Sequence, residues 1–151
     1  LKERIRLAEK KNEYYRDMIK KMTPADILPG VIDLMYELKK SGVKLAVASA
    51  SKNASIVLRN LDIADKFDYI VDAALIQNGK PDPEIFLAAA TGLRLDVRYC
   101  AGIEDSAVGI EAIKRAGMFA IGIGDPNILK KADVVLPDLS DTSGIIRLLE
   151  G

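Results

Sequence analysis

At 151 residues the chain is long enough for one domain with a real core, and its 22 basic and 22 acidic side chains cancel, so no net basic field draws nucleic acid or anionic lipid. No apolar run is long enough to span a bilayer and nothing resembles a signal peptide, so neither a membrane nor a nucleic-acid partner is expected. Histidine is absent, which removes Ser-His-Asp and Cys-His catalysis, histidine zinc sites and histidine acid–base chemistry, and leaves carboxylates, lysines, hydroxyls, backbone amides and a bound ion.

Leu1 to Met22 reads as one long helix. Ile5, Ala8, Asn12, Tyr15, Ile19 and Met22 recur in steps of three and four, opposite a face dense in Lys, Arg and Glu. A helix packing within a small bundle is expected, with a coiled-coil seam as the alternative. The chain begins inside this pattern with no capping signal, so a missing upstream segment is expected. Residues 23–30 carry two prolines and a glycine and read as a linker.

From residue 31 strands and helices alternate. Val31, Leu34, Met35 and Leu38 mark a helix ending near Ser41-Gly42, and Val43–Ala48 is an apolar strand. It breaks into Ser49-Ala-Ser-Lys-Asn53 before a helix with Ile56, Val57 and Leu58, and Phe67–Val71 is a further short strand. In the next loop Asp82 can cap a helix whose first residue is Pro83 and which runs through Phe86 and Leu87 to Gly92.

Tyr99–Ile103 reads as a buried parallel strand, with Cys100 as a core thiol. As the sole cysteine it forms no intrachain disulfide, and a reducing cytoplasm is the expected setting. Glu104 and Asp105 end this strand. Ser106 opens a helix that closes at Gly117. Met118–Ile123 is a strand, Val134–Leu136 an edge strand ending at Pro137, and Ser140 or Asp141 starts a closing helix. The alternation predicts a doubly wound parallel α/β domain.

Three strand ends then carry chemistry to one edge: Ser49–Asn53, Lys80 with its loop, and Glu104–Asp105. Adjacent carboxylates repel, and a hard cation such as Mg²⁺ is the usual reason to keep both ionised. A hydroxyl, small-residue amides, an ammonium and a carboxylate pair together describe a phosphate and Mg²⁺ pocket suited to phosphoryl transfer. Each part has a plainer reading: a helix-capping Asp, a Ser-x-Ser cap, a solvated lysine.

The ordered set Val47-Ala-Ser-Ala-Ser-Lys-Asn53, Gly79-Lys-Pro-Asp-Pro-Glu84 and Gly102-Ile-Glu-Asp-Ser106 resembles the haloacid-dehalogenase-like phosphotransferases. Supporting stretches are Lys11-Asn-Glu-Tyr-Tyr15, Thr23–Gly30 and Ala112–Met118. Ser-Ala-Ser-Lys-Asn and the Tyr-Tyr helix point to the sugar-phosphate mutase branch. That branch interconverts beta-D-glucose 1-phosphate and glucose 6-phosphate through an aspartyl-phosphate and a bisphosphate.

The resemblance implies roles for these residues. Ser49 and the Ala50 amide would hold the phosphoryl group in transfer, and Lys80 would neutralise its charge. Ser51, Lys52 and Asn53 would grip the substrate's other phosphate. Asp105 would bind Mg²⁺, with Glu104 as ligand or close neighbour. Residues 1–22 would be the remnant of a helical cap, 23–30 a linker, and 31–151 a Rossmann-like core.

The family's Asp-x-Asp, which ends the first and central strand, does not occur upstream of these motifs. The chain is therefore expected to be the larger C-terminal part of such an enzyme, inactive alone. A gap is expected between the Val43–Ala48 and Tyr99–Ile103 strands. Either the strands close up, or an N-terminal segment or second chain completes the sheet, or the fragment is marginally stable. The alternatives are a related sugar-phosphate phosphatase and a non-catalytic binding or scaffold module.

Overall fold

The computed structural model describes residues 2–151, except for the side chains of Lys2 and Ala8. The expected helix start at Leu1, and the place of Ala8 on the apolar face, lie outside the described residues. The elements in chain order are α1 (Lys2–Lys21), α2 (Val31–Lys40), β1 (Ala46–Val47), α3 (Ala54–Asn60), β2 (Tyr69–Ile70), α4 (Glu84–Leu93), β3 (Ala101–Glu104), α5 (Ala107–Arg115), β4 (Phe119–Ile123), β5 (Val134–Leu136) and α6 (Thr142–Glu150). Among the described residues no helix is long and apolar enough to cross a membrane.

Every strand pair is parallel, as alternating strands and helices require. Side chains of successive strand residues leave on opposite faces. Leu45 and Leu136 accordingly join α2 and α6 around Leu34, Leu38 and Ile145. Ala46 and Val135 join the larger cluster built by α4 and α5 around Ile85, Phe86, Ile110 and Ile113. Helices therefore cover both faces, the doubly wound α/β arrangement that the sequence predicts.

The sheet is in two pieces. β1 pairs with β2, β3 with β4, and β4 with β5, but β1 and β3 do not pair. Of the three expected consequences of a gap, closing up is excluded. A cavity of about 870 Å³ runs between the pieces, lined by Ala46 and Ala48 on one side and Gly102, Ile103 and Glu104 on the other. Ile103, expected to be buried, is 40% exposed on its wall.

Several expected elements shift. The Val43–Ala48 and Phe67–Val71 strands shrink to two residues each, because each has only the other to pair with and their ladder spans just Ala46–Tyr69 and Val47–Ile70. Tyr99 is 80% exposed and lies outside the strand. Asp96 caps a tight turn over Val97–Tyr99 by accepting the Arg98 N–H at 2.9 Å. Cys100 sits at the end of that turn, half-buried rather than in the core, and its Sγ donates to the Asp96 carbonyl at 3.4 Å. Burial and the Asp96 charge push its thiol up.

Pro83 takes the cap position expected of Asp82, whose Oδ1 still accepts the Glu84 N–H at 2.9 Å. Ser106 and Asp141 cap α5 and α6 by accepting the N–H of Gly109 and Gly144. Along α1, Ile19 is buried while Ile5 and Tyr15 are exposed. α1 packs on α3, and Asn60 Nδ2 donates to the Ile19 carbonyl at 2.8 Å.

Candidate functional site

The chemistry gathers where β3 ends. Four residues of strand carry the backbone up from the Val97–Tyr99 turn, and Glu104 is the last of them. The chain then enters α5 through Asp105 and the capping Ser106. Glu104 Oε1 accepts the Asp105 N–H at 3.1 Å and the Ser106 Oγ–H at 3.2 Å. Its other oxygen accepts Lys80 Nζ at 2.5 Å, across 24 residues of sequence.

Lys80 and Glu104 are largely covered, their side chains 21% and 12% exposed. An ion pair so placed interacts through a lower effective dielectric than a surface pair does. The ammonium also lies over the Phe86 ring, 5.0 Å from nitrogen to centroid, within cation–π range.

The loop that delivers Lys80 is itself held. Glu84, in the first turn of α4, accepts the N–H of Gln77 and of Asn78, both at 2.8 Å, and the Asn78 side-chain amide at 2.9 Å. These backbone bonds hold the Glu84 carboxyl below its ordinary value. Neither Glu84 nor Phe86 carries a role in the sequence reading, although both belong to the Lys-Pro-Asp-Pro-Glu-Ile-Phe run.

The two carboxylates diverge. Burial works to raise the Glu104 carboxyl, but the hydrogen bond and charge from Lys80, with bonds from Asp105, outweigh it and leave it lowered. Asp105 is pushed up by the hydrogen bond it shares with Glu104, by burial, and by the Glu104 charge. One ammonium thus serves two acids, and the exposed Asp105 bears the shortfall.

Gly109 makes room for this arrangement. A Cβ there would lie 2.1 Å from Cγ and Cδ of Glu104 and 2.3 Å from Oε2, so the glutamate side chain lies against the bare backbone of α5. The signal was present as a glycine three residues after a helix cap, where alanine would favour the helix.

Ser49–Asn53 follow β1 just beyond Ala48, which lines the cavity wall opposite Glu104. The Ser49 Oγ accepts the Ser51 N–H and the Ser51 Oγ accepts the Asn53 N–H, both at 3.2 Å. Each hydroxyl is anchored as an acceptor while its own proton stays available to donate to an anion. Ser51 and Lys52 line a separate recess of about 440 Å³, together with Asp72. The hydrogen bonds of the described residues join Lys80, Glu104, Asp105 and Ser106; those of Ser49 and Ser51 are local, and Ala50 is exposed between them.

Among the described residues no three metal-ligating side chains cluster. Glu104 and Asp105 still suit Mg²⁺, which takes one or two carboxylates and fills its remaining positions with water and phosphate oxygens. A divalent charge would also relieve the crowding that raises Asp105.

The haloacid dehalogenase-like hydrolase family profile matches residues 2–117. The chain is 46% identical over 139 residues to a beta-phosphoglucomutase of Bacillus subtilis (strain 168), covering 92% of this chain and 62% of that protein. It is 33% identical over 119 residues to hexitol phosphatase B of Escherichia coli (strain K12), covering 78% of this chain and 54% of that one. A crystal structure of beta-phosphoglucomutase from Clostridium difficile superposes with a TM-score of 0.90 at 44% identity, over 99% of this chain and 68% of that one. The chain thus spans less than two thirds of the length of either of these two sequence relatives.

Proposed function

The chain belongs to the haloacid dehalogenase-like hydrolase family, and from that premise we propose that it is the phosphate- and metal-binding part of a beta-phosphoglucomutase. The reaction would interconvert beta-D-glucose 1-phosphate and glucose 6-phosphate. The observation that carries the reading is the largely covered Lys80–Glu104 bond with Asp105 beside it, where a lysine and an acid pair meet at a strand end.

In this reading the Ser49 hydroxyl and Ala50 N–H hold the phosphoryl group in transfer, and Lys80 offsets the charge that develops on it. Ser51, Lys52 and Asn53 hold the substrate's second phosphate. Asp105 and Glu104 hold Mg²⁺, which neutralises phosphate charge when bound. The nucleophilic carboxylate comes from a strand inserted between β1 and β3. Two facts support that insertion: each of these strands pairs on one side only, and the cavity between them has largely apolar walls. Residues 2–21 would belong to a cap and 31–151 to the core. The chain alone, without the inserted strand, would be inactive.

The test mixes the purified chain with the separately expressed portion of the Bacillus subtilis relative that lies outside the match. Glucose 6-phosphate and free phosphate are both measured. The expected result is isomerisation in the mixture and none from the chain alone. Phosphate release without isomerisation would select the phosphatase reading, which the likeness to hexitol phosphatase B favours. Isomerisation by the chain alone would overturn the inserted-strand account. The absence of all turnover in a mixture that forms a complex would favour a non-catalytic module.

A further inference from the structure

Glu104 Oε2 is already occupied by a cation. Lys80 Nζ sits on it at 2.5 Å, while Oε1 accepts from the Asp105 N–H and the Ser106 hydroxyl. The lysine lies over the Phe86 ring, and its loop is pinned by Glu84, so the ammonium is delivered to this oxygen rather than drifting near it. Charge makes the crowding plain. Two carboxylates and one ammonium leave one negative charge, whereas two carboxylates, an ammonium and a divalent ion leave one positive charge in a largely covered place.

We propose that Lys80 is the internal counter-cation of the Glu104–Asp105 pair, that a divalent ion and the Lys80–Glu104 bond exclude each other, and that metal loading is what releases the ammonium to face a phosphate. This rests on reading Glu104 and Asp105 as the metal pair. It adds an order of events: in the metal-free protein Lys80 is committed to Glu104, and it becomes available to an anionic ligand as the ion arrives. Glu84 and Phe86 return it to the acid pair when the ion leaves.

The test titrates the full chain with Mn²⁺ alone and follows the free ion by electron paramagnetic resonance. Removing a unit charge bonded to the metal's own ligand, at the screening of a partly covered site, should tighten Mn²⁺ binding by about ten-fold or more in Lys80→Met. Lys20→Met, which removes an equal charge from an exposed pair on α1, should leave the affinity within about two-fold of wild type. Adding Glu104→Gln to Lys80→Met should abolish the gain.

Should Lys80→Met fail to fold, Mg²⁺ titrated into the wild-type chain gives the answer. The Lys80 ammonium protons, slowed by their bond to Glu104, should speed up in exchange as the ion binds. Equal Mn²⁺ affinity in wild type and Lys80→Met, or Lys80 protons unmoved by saturating Mg²⁺, would overturn the exclusion and leave the metal pair standing. No Mn²⁺ binding to either folded protein would overturn both.

Discussion

Gly109→Ala sets two effects of opposite sign against each other, and the structure decides between them. Gly109 lies within α5 and is absent from the positive-φ positions, so its backbone accepts alanine, and helix propensity alone favours the substitution by up to about 1 kcal/mol. The added methyl, however, falls 2.1 Å from Cγ and Cδ of Glu104, about half an ordinary van der Waals contact. Glu104 cannot swing aside freely, because its bonds to Lys80 and Ser106 fix both oxygens. Overpacking costs about 1–3 kcal/mol. Loss of the charge-assisted bond to Lys80 costs roughly 1.5–3 kcal/mol. After the helix gain is subtracted, and with the two costs overlapping, the variant should lose about 1.5–4 kcal/mol, or some 3–15 °C in Tm for a chain of this size. Urea titration followed by far-UV circular dichroism measures the loss. The same substitution in a Glu104→Ala background should be neutral or mildly stabilising, because the methyl then has room. A single Gly109→Ala variant as stable as wild type, or more so, would refute the reasoning by showing that Glu104 does not occupy that face of α5.

Gly92→Ala should behave alike for a different reason. The new Cβ would lie 2.2 Å from the Tyr69 ring, so a loss of about 1–3 kcal/mol is expected by urea titration despite the helix gain, with Tyr69→Leu in the same chain restoring much of it. Asp105→Asn should raise Tm at pH 7. The folded Asp105 carboxyl is raised, so its favourable contribution is present at low pH and is lost as pH rises through the folded value; the neutral amide removes the repulsion from Glu104. Asp133 carries the opposite sign. Burial acts to raise it, but bonds from Lys114 and the Ala120 N–H outweigh this and leave it lowered from 3.8, so its contribution is present above the unfolded value and lost as pH falls through the folded one. Asp133→Asn should therefore start less stable at pH 7 and lose less on acidification below pH 4. The limb should persist in part, because Glu84, Glu111 and Asp96, the last at about 2, are also lowered.

Helices with a cap and a buried stripe were legible because both signals are local. Ser106 and Gly117 bracket α5, and Asp141 starts α6, as their sequences imply. Strands were less so, because a strand is defined by a partner elsewhere. Val43–Lys44 have the composition of a strand but lie outside β1, which has one neighbour only two residues long. At Tyr99 a local competitor won: Asp96 offered the Arg98 N–H a side-chain acceptor, and the first residue of the apolar run went into a tight turn while Ala101–Ile103 stayed in β3. Along α1 the apolar periodicity was plain, but periodicity does not say what covers a face, and Ile5 and Tyr15 lie uncovered.

The site divides along the same line. Its charged members were proposed from the chain through their ordered combination, since a lysine or a strand-end carboxylate alone has a plainer reading as a solvated side chain or a helix cap. What could not be named was how they meet. The Lys80–Glu104 bond depends on a loop tied by Glu84, a ring beneath the ammonium, and space at Gly109, none of which is charged chemistry facing a ligand. A glycine that forgoes about 1 kcal/mol of helix propensity so that a glutamate can lie against the helix is a local loss accepted for the site. Substitutions at Gly109 and Phe86 should therefore disturb the Lys80–Glu104 pair as surely as changing either charge. The separation is testable, because such variants keep both charges: a change at Phe86 should alter Mn²⁺ affinity through where Lys80 sits, and Gly109→Ala through where Glu104 lies as well.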